Sequence, residues 1–331
     1  MSDSIELLSI GDASLDVFLA PTETETLCQV DTKECFICFS YGDKIPVNNL
    51  DFSVGGNAAN NSVGTTRLGI RSAPVITLGT DEVAQQISAV FQKEGVDTQF
   101  VAKQEGKSNY SSVINYGGER TIFTYKAPKD YVFPDPLPVT PWIYLTSMGD
   151  SFQPYYDKVA DHVRANPEIK LAVNPGSRQL RAGVDSFRSV LEVAYIVYIN
   201  RKEAEMISGF GDSHGKEREL LDAVSALGPR IPIITDGGGG SFVKDENGKY
   251  IKASVLPVDS YERTGAGDAF GSACIAALIK GKPFEEALLW GTVNSASVIG
   301  YNGSQRGLLH DSEMPVWLDR ARSSGVLVEK F

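Results

Sequence analysis

Hydrophobic residues along this chain fall into short runs broken by glycine-rich and polar turns, and the period of those runs changes with position. The first run, Ile5–Ile10, ends at Gly11-Asp12 and predicts a strand. From Val17 to Val54, β-prone stretches alternate with turn residues such as Tyr41-Gly42-Asp43, as expected of short antiparallel strands. A helix is predicted from Asn57 to Leu68, stopped by Gly69. A strand over Ala73–Leu78 and a helix over Glu82–Glu94 follow, then a second β-rich piece between Asn109 and Lys126 with a Gly117-Gly118 hairpin turn. Beyond about residue 140 the pattern becomes regular. Strands at Trp142–Thr146, Leu171–Asn174, Ala194–Ile199 and Ile231–Thr235 alternate with helical stretches, which implies a parallel sheet covered on both faces. The end is mainly helical, from Asp268 to Ile279 and again from Pro283. The architecture predicted is one α/β core, with the segments near 17–54 and 108–127 coming together as a small sheet.

Composition adds bounds. A chain of 331 residues with 42% hydrophobic and 22% charged residues buries a substantial core. Its 31 basic residues stand against 42 acidic ones, a net charge of −11. That balance argues against a nucleic-acid backbone or an anionic membrane as partner. It leaves a nucleotide open, which needs only a local nest of backbone N–H groups. The longest apolar runs, such as Val193–Ile199, are too short to span a bilayer, and Met1–Ile10 lacks the basic start of a signal peptide, so a cytoplasmic location is expected. Of the four cysteines, Cys28, Cys35, Cys38 and Cys274, the C-x-x-C pair 35/38 is compatible with zinc, but too few further ligands lie nearby. The plainer expectation is a strand whose thiols act as small hydrophobes.

Four segments carry candidate chemistry. Thr264-Gly265-Ala266-Gly267-Asp268-Ala269-Phe270 places glycines just before a helix, leaving N–H groups free for an anion. An acid there repels phosphate, unless Asp268 takes a proton from a hydroxyl that attacks phosphate held by Gly265–Gly267. Read alone, Asp268 is better explained as a helix cap, and only the other motifs shift that balance. Val54-Gly55-Gly56-Asn57-Ala58-Ala59-Asn60 also starts a helix; its amides and Asp16 suit a polyhydroxylated ligand, although Gly-Gly is often only a tight turn. Asn200 and Glu203, one turn apart after a buried strand, fit a Mg²⁺ site or a capping box equally well. Thr235-Asp236-Gly237-Gly238-Gly239-Gly240 would let backbone approach a nucleotide or form a flexible loop.

Together these motifs resemble the ribokinase-like, PfkB-type carbohydrate kinases, in the right order and over nearly the whole chain. The resemblance implies a three-layer α/β/α core with a mainly parallel sheet (1–16, 55–107 and 128–331) and a β lid (17–54 and 108–127) that often mediates dimers. It implies ATP as phosphoryl donor, with Asp268 as base and Gly265, Ala266 and Gly267 as anion hole. Asp16, Gly56, Asn57 and Asn60 would bind the sugar, with Asn200 and Glu203 in the Mg²⁺ and phosphate site. Thr235, Gly237, Gly240 and Asn294 would lie near the nucleotide. The chain departs from ribokinases proper at Asn57, where they carry Lys, and at Ser14, where they carry Asn, which turns the reading away from ribose. Glu262 and Arg263 stand before Thr264, near where the family draws a K⁺ site, so K⁺ dependence is left open. A nucleoside acceptor, with Phe39, Tyr41 or Tyr110 stacking on its base, is the main alternative. A dinucleotide-dependent oxidoreductase fails, since six residues separate Val258 from Gly265. A non-catalytic sensor fits poorly with an intact Asp268 and Glu203. Arg120, Arg178 or Arg263 could meet a phosphate on the acceptor.

Overall fold

Leu7, Leu8, Ser9 and Ile10 are all fully buried. A strand buried on both faces belongs at the centre of a sheet with helices on either side. The computed structural model, which describes residues 4–22, 24–28, 35–117, 119–260 and 263–331, places it so. Ten described strands form the main sheet in the spatial order Val328–Lys330, Tyr250–Ala253, Ser241–Lys244, Ile231–Thr235, Ile196–Asn200, Lys170–Val173, Trp142–Leu145, Leu7–Ile10, Ser72–Leu78 and Val101–Lys103. The run from Ile231–Thr235 to Val101–Lys103 is parallel, and the three strands at the other edge are antiparallel.

Alternation along these strands divides the core between two faces. Leu8, Ile143, Leu171 and Val197 pack with helix Gln153–Ala165 and its neighbours. Leu7, Tyr144, Ala172 and Tyr198 pack against helices Ala266–Ile279 and Phe284–Val298. Small residues bring Ala266–Ile279 close to the sheet: a Cβ on Gly271 would lie 3.1 Å from the Tyr198 ring and 3.2 Å from the Tyr144 hydroxyl. Because the central strands are parallel, the segments after Ile10, Leu145, Val173, Asn200 and Thr235 share one rim, where open α/β sheets bind ligands.

Over that rim lies a four-stranded sheet in the order Val47–Gly55, Ser14–Pro21, Asn109–Tyr116 and Glu119–Tyr125. It begins at Ser14, already paired with Gly55 and Asn109, so Ser14–Asp16 belong to this sheet and not to the core strand before it. Register gives the sheet two unlike faces. Asp16 is level with Ser53 and Ser111, and Ser111 with Thr124, which gathers polar side chains around Asp16 on one face, beside the buried Phe18 and Val113. On the other face Leu50, Phe52 and Phe123 are more than half exposed.

The cysteines differ from expectation. Cys28 and Cys35 are register partners in an outlying hairpin, Glu25–Cys28 with Cys35–Cys38, and are joined as a disulfide. These thiols are therefore neither buried hydrophobes nor zinc ligands. Cys38 is free and half-buried, Cys274 free and buried.

Candidate active site

Helix Ala266–Ile279 starts on Gly265, whose φ of 80° is left-handed and whose missing side chain offers no cap. A Cβ there would come within 2.5 Å of Ser304, so the tight turn demands glycine. The Ala266 N–H reaches the Arg263 carbonyl only at 3.4 Å, long for a hydrogen bond. The N–H groups of Gly267 and Asp268 have no acceptor among the described residues. They lie at the positive end of the helix dipole, a standing anion site.

Asp268 turns away from this backbone. Its Oδ2 accepts from Asn60 Nδ2 at 2.7 Å. The buried Asn60 cannot be read the other way round, because its Oδ1 accepts from Ser304 Oγ and Gln305 Nε2, each at 3.0 Å. Burial, reinforced by the negative charge of Asp16, pushes the Asp268 carboxyl up to about 6, against the opposing hydrogen bond from Asn60. Asp16, from the overlying sheet, is thus within electrostatic reach of Asp268, and Asp268 has an affinity for protons suited to a general base.

The remaining predicted acceptor residues gather beside them. Asp16 Oδ1 accepts from Ser14 Oγ at 3.0 Å, and its other oxygen lies where a Cβ on Gly55 would stand, 2.0 Å away. Gly56, at φ 89°, lets the helix start pass the backbone of Asp12 and Ala13, since a Cβ would meet them at 2.6 and 2.7 Å. Asn57 donates to Asn174 Oδ1 at 3.2 Å, and Asn174 donates in turn to the Tyr198 carbonyl at 2.8 Å. The sequence reading missed Asn174; its signal was a polar residue just past the carboxyl end of a parallel strand. It missed a second cluster as well. Asp12, almost wholly buried, binds Lys126 and Lys129 at 3.2 Å each and accepts from the Tyr131 hydroxyl at 3.0 Å. Burial alone would raise the Asp12 carboxyl, but the two lysines outweigh it and hold it low.

On the other side of the helix start a cavity of about 470 Å³ opens, lined by Thr235, Gly237, Gly240, Phe270 and the apolar stretch Val255–Val258. Ala266 and Gly267 also line it, so it is continuous with the open N–H groups. Its size suits a nucleotide. Asn294 is not on its wall. It is fully buried, donates to the Ala269 carbonyl at 2.7 Å and accepts from the Leu309 N–H at 2.8 Å, so its amide clamps the backbone. Asn200 takes the capping role: its Oδ1 accepts from the Glu203 N–H at 3.0 Å while Glu203 Oε2 accepts from the Asn200 N–H at 2.9 Å, a complete capping box. Arg201 ties this helix to the glycine loop through Asp236 at 2.9 Å and to the start of helix Glu217–Ser225 through Glu217 at 2.8 Å. Glu203 keeps its second oxygen. Its carboxyl is raised by burial and by repulsion from Asp268. Glu262 lies outside the described residues.

Comparisons with known proteins bear on the family and the fold. The profile of the pfkB family of carbohydrate kinases matches residues 24–311. An uncharacterised sugar kinase of Archaeoglobus fulgidus is 28% identical over 255 residues, 74% of this chain and 98% of that protein. The ribokinase of Haemophilus influenzae is 24% identical over 298 residues, 85% of this chain and 92% of the relative. Among solved structures, Arabidopsis thaliana ribokinase complexed with ribose and ATP superposes with a TM-score of 0.78 at 20% identity, over 95% of this chain and 99% of that one. A Methanocaldococcus jannaschii nucleoside kinase of the ribokinase family superposes with a TM-score of 0.75 at 17% identity, over 96% and 99%. With its profile matched across most of its length, the chain belongs to the pfkB family of carbohydrate kinases.

Proposed function

We infer that this protein transfers the γ-phosphoryl group of ATP to a hydroxyl of a small sugar. The observation that carries the reading is the pairing of Asp268, its carboxyl raised to about 6, with uncapped N–H groups at the same helix start and with Asp16 close by. Asp16, Gly56, Asn57 and Asn60 would hold the acceptor. Asp268 would take the hydroxyl proton as the oxygen attacks phosphorus, and ADP would leave into the cavity lined by Thr235, Gly237 and Gly240. The backbone of Gly265, Ala266 and Gly267 would stabilise charge on the transferring group.

Mg²⁺ fits the residues present. Glu203 and Asp268 repel each other, a strain that a bound cation relieves, and Mg²⁺ needs few protein ligands because it keeps much of its water. Glu203, through its uncapped oxygen, is the residue to hold it, and the ion would neutralise phosphate charge.

A sugar is favoured over a nucleoside because two of the three aromatic candidates for base stacking, Tyr110 and Tyr41, are poorly placed to cover a base beside Asp16. Tyr110 is level with Leu15, on the face opposite Asp16, and Tyr41 is fully exposed. The apolar outer face of the small sheet, with Leu50, Phe52 and Phe123, suits pairing with a second copy through the lid. Among the described residues no helix is long and apolar enough to cross a membrane. We assign the cytoplasm, where ATP is available.

ADP release measured against sugars, sugar phosphates and nucleosides tests the reading. Turnover with a sugar that disappears in D268N supports it, and turnover that survives in D268N removes Asp268 as the base.

A further inference from the structure

Among the described residues lining the nucleotide cavity, one side chain is charged: Arg263. It is exposed, and it makes no ion pair or side-chain hydrogen bond among the described residues. Most other arginines near the rim are engaged. Arg201 is held by Asp236 and Glu217, Arg178 by Asp150, and Arg306 by Asp51. Arg263 also stands at the entrance to the anion cradle, its carbonyl opposite the Ala266 N–H at the turn into the helix.

We propose that Arg263 is a phosphate-binding residue that grips the phosphate chain of the nucleotide, not a phosphate on the acceptor. A triphosphate reaching from the cavity to Gly267 must pass along the wall that carries Arg263, because Ala266 and Gly267 belong to both cavity and cradle. Elsewhere that wall offers glycines, hydroxyls and apolar side chains, so no other side chain on it balances a polyanion. In a protein with a net charge of −11, a local cation beside the backbone N–H groups favours the approach of such a ligand. Guanidinium suits the task, since its planar fork matches two phosphate oxygens at once.

The proposal rests on the kinase reading, and one experiment separates the two. Calorimetry gives the Kd of ATP for wild type, R263A and R263K, and displacement of ATP gives the constant for adenosine in the same pocket. The expected result is ATP binding weakened about tenfold to a hundredfold in R263A. R263K should recover part of the loss, and adenosine should displace ATP with an unchanged constant. ATP binding unaltered in R263A overturns the proposal, as does an equal loss for ATP and adenosine, which would make Arg263 a wall of the pocket only. A wild-type protein that binds no ATP overturns the kinase reading and the proposal with it.

Discussion

Two helices at the rim of the sheet begin in parallel circumstances and resolve them in opposite ways. Arg201–Ser208 and Ala266–Ile279 both follow a β segment, and both carry an acid at the third helical position, Glu203 and Asp268. In the first, Asn200 and Glu203 close on each other and satisfy the backbone locally. In the second, Gly265 has nothing to cap with, and Asp268 goes to Asn60, 208 positions away in sequence. The closed start is ordinary helix chemistry. The open start keeps unpaired donors and a carboxyl displaced toward neutrality in one place. Local stability is given up there, as is common at functional sites.

Substitutions at the two starts should therefore act on different quantities. D268N should lower kcat by about a hundredfold to ten-thousandfold with nucleotide affinity nearly unchanged. It should also stabilise the protein. The Asp268 carboxyl binds its proton more tightly in the folded state, at about 6, than in the unfolded chain, near 3.8. Ionisation therefore costs folding free energy progressively as pH rises between those values, on the order of 3 kcal/mol once complete. A D268N protein whose melting temperature at pH 7.5 falls below that of wild type would contradict this account. G265A, which forces a Cβ onto Ser304 from a left-handed backbone, should cost about a hundredfold to a thousandfold in kcat. Steady-state kinetics at saturating ATP would show it.

Asn60 allows a finer test. Wild-type kcat/KM should fall as pH drops through about 6, where Asp268 takes up its proton. N60A removes a hydrogen bond to the ionised form, so that acid limb should move to higher pH. D16N removes a like charge and should move it lower. A limb that stays in place in both variants would mean that another group controls it. The smallest effect belongs to the closed start: N200A should cost about 1 kcal/mol of stability by denaturant titration and leave the KM for ATP within about twofold.

The same contrast explains what the sequence could reveal. Buried strands declare themselves by unbroken apolar runs, as Val193–Ile199 does for Ile196–Asn200. Glycines before a helix mark close approach, and at Gly56 and Gly265 the positive φ and the missing room for a Cβ supply the reason. Asn200 and Glu203 met both of their readings halfway, since spacing alone does not separate a cap from a ligand. The backbone clamp made by Asn294 was not legible because its helix, Phe284–Val298, is buried nearly all round, leaving no polar face to show which way an amide points. The tie of Lys126 and Lys129 to Asp12 spans more than a hundred residues and has no local signal. Cysteine spacing drew attention to 35 and 38, whereas hairpin register decides the partner and sets Cys28 across from Cys35.

Asp51 belongs to the strand Val47–Gly55 of the small sheet, and it is held by Arg306 and Asn302. Ser304 and Gln305, between those two residues, fix the amide of Asn60, which in turn holds Asp268. The small sheet and Asp268 are thus joined by one short stretch of chain. If the sheet covers the pocket and Asp268 is the base, as proposed, a displacement of the sheet that pulls on Arg306 would reach Asp268 through Asn60, so opening the pocket and loosening the base would be one movement.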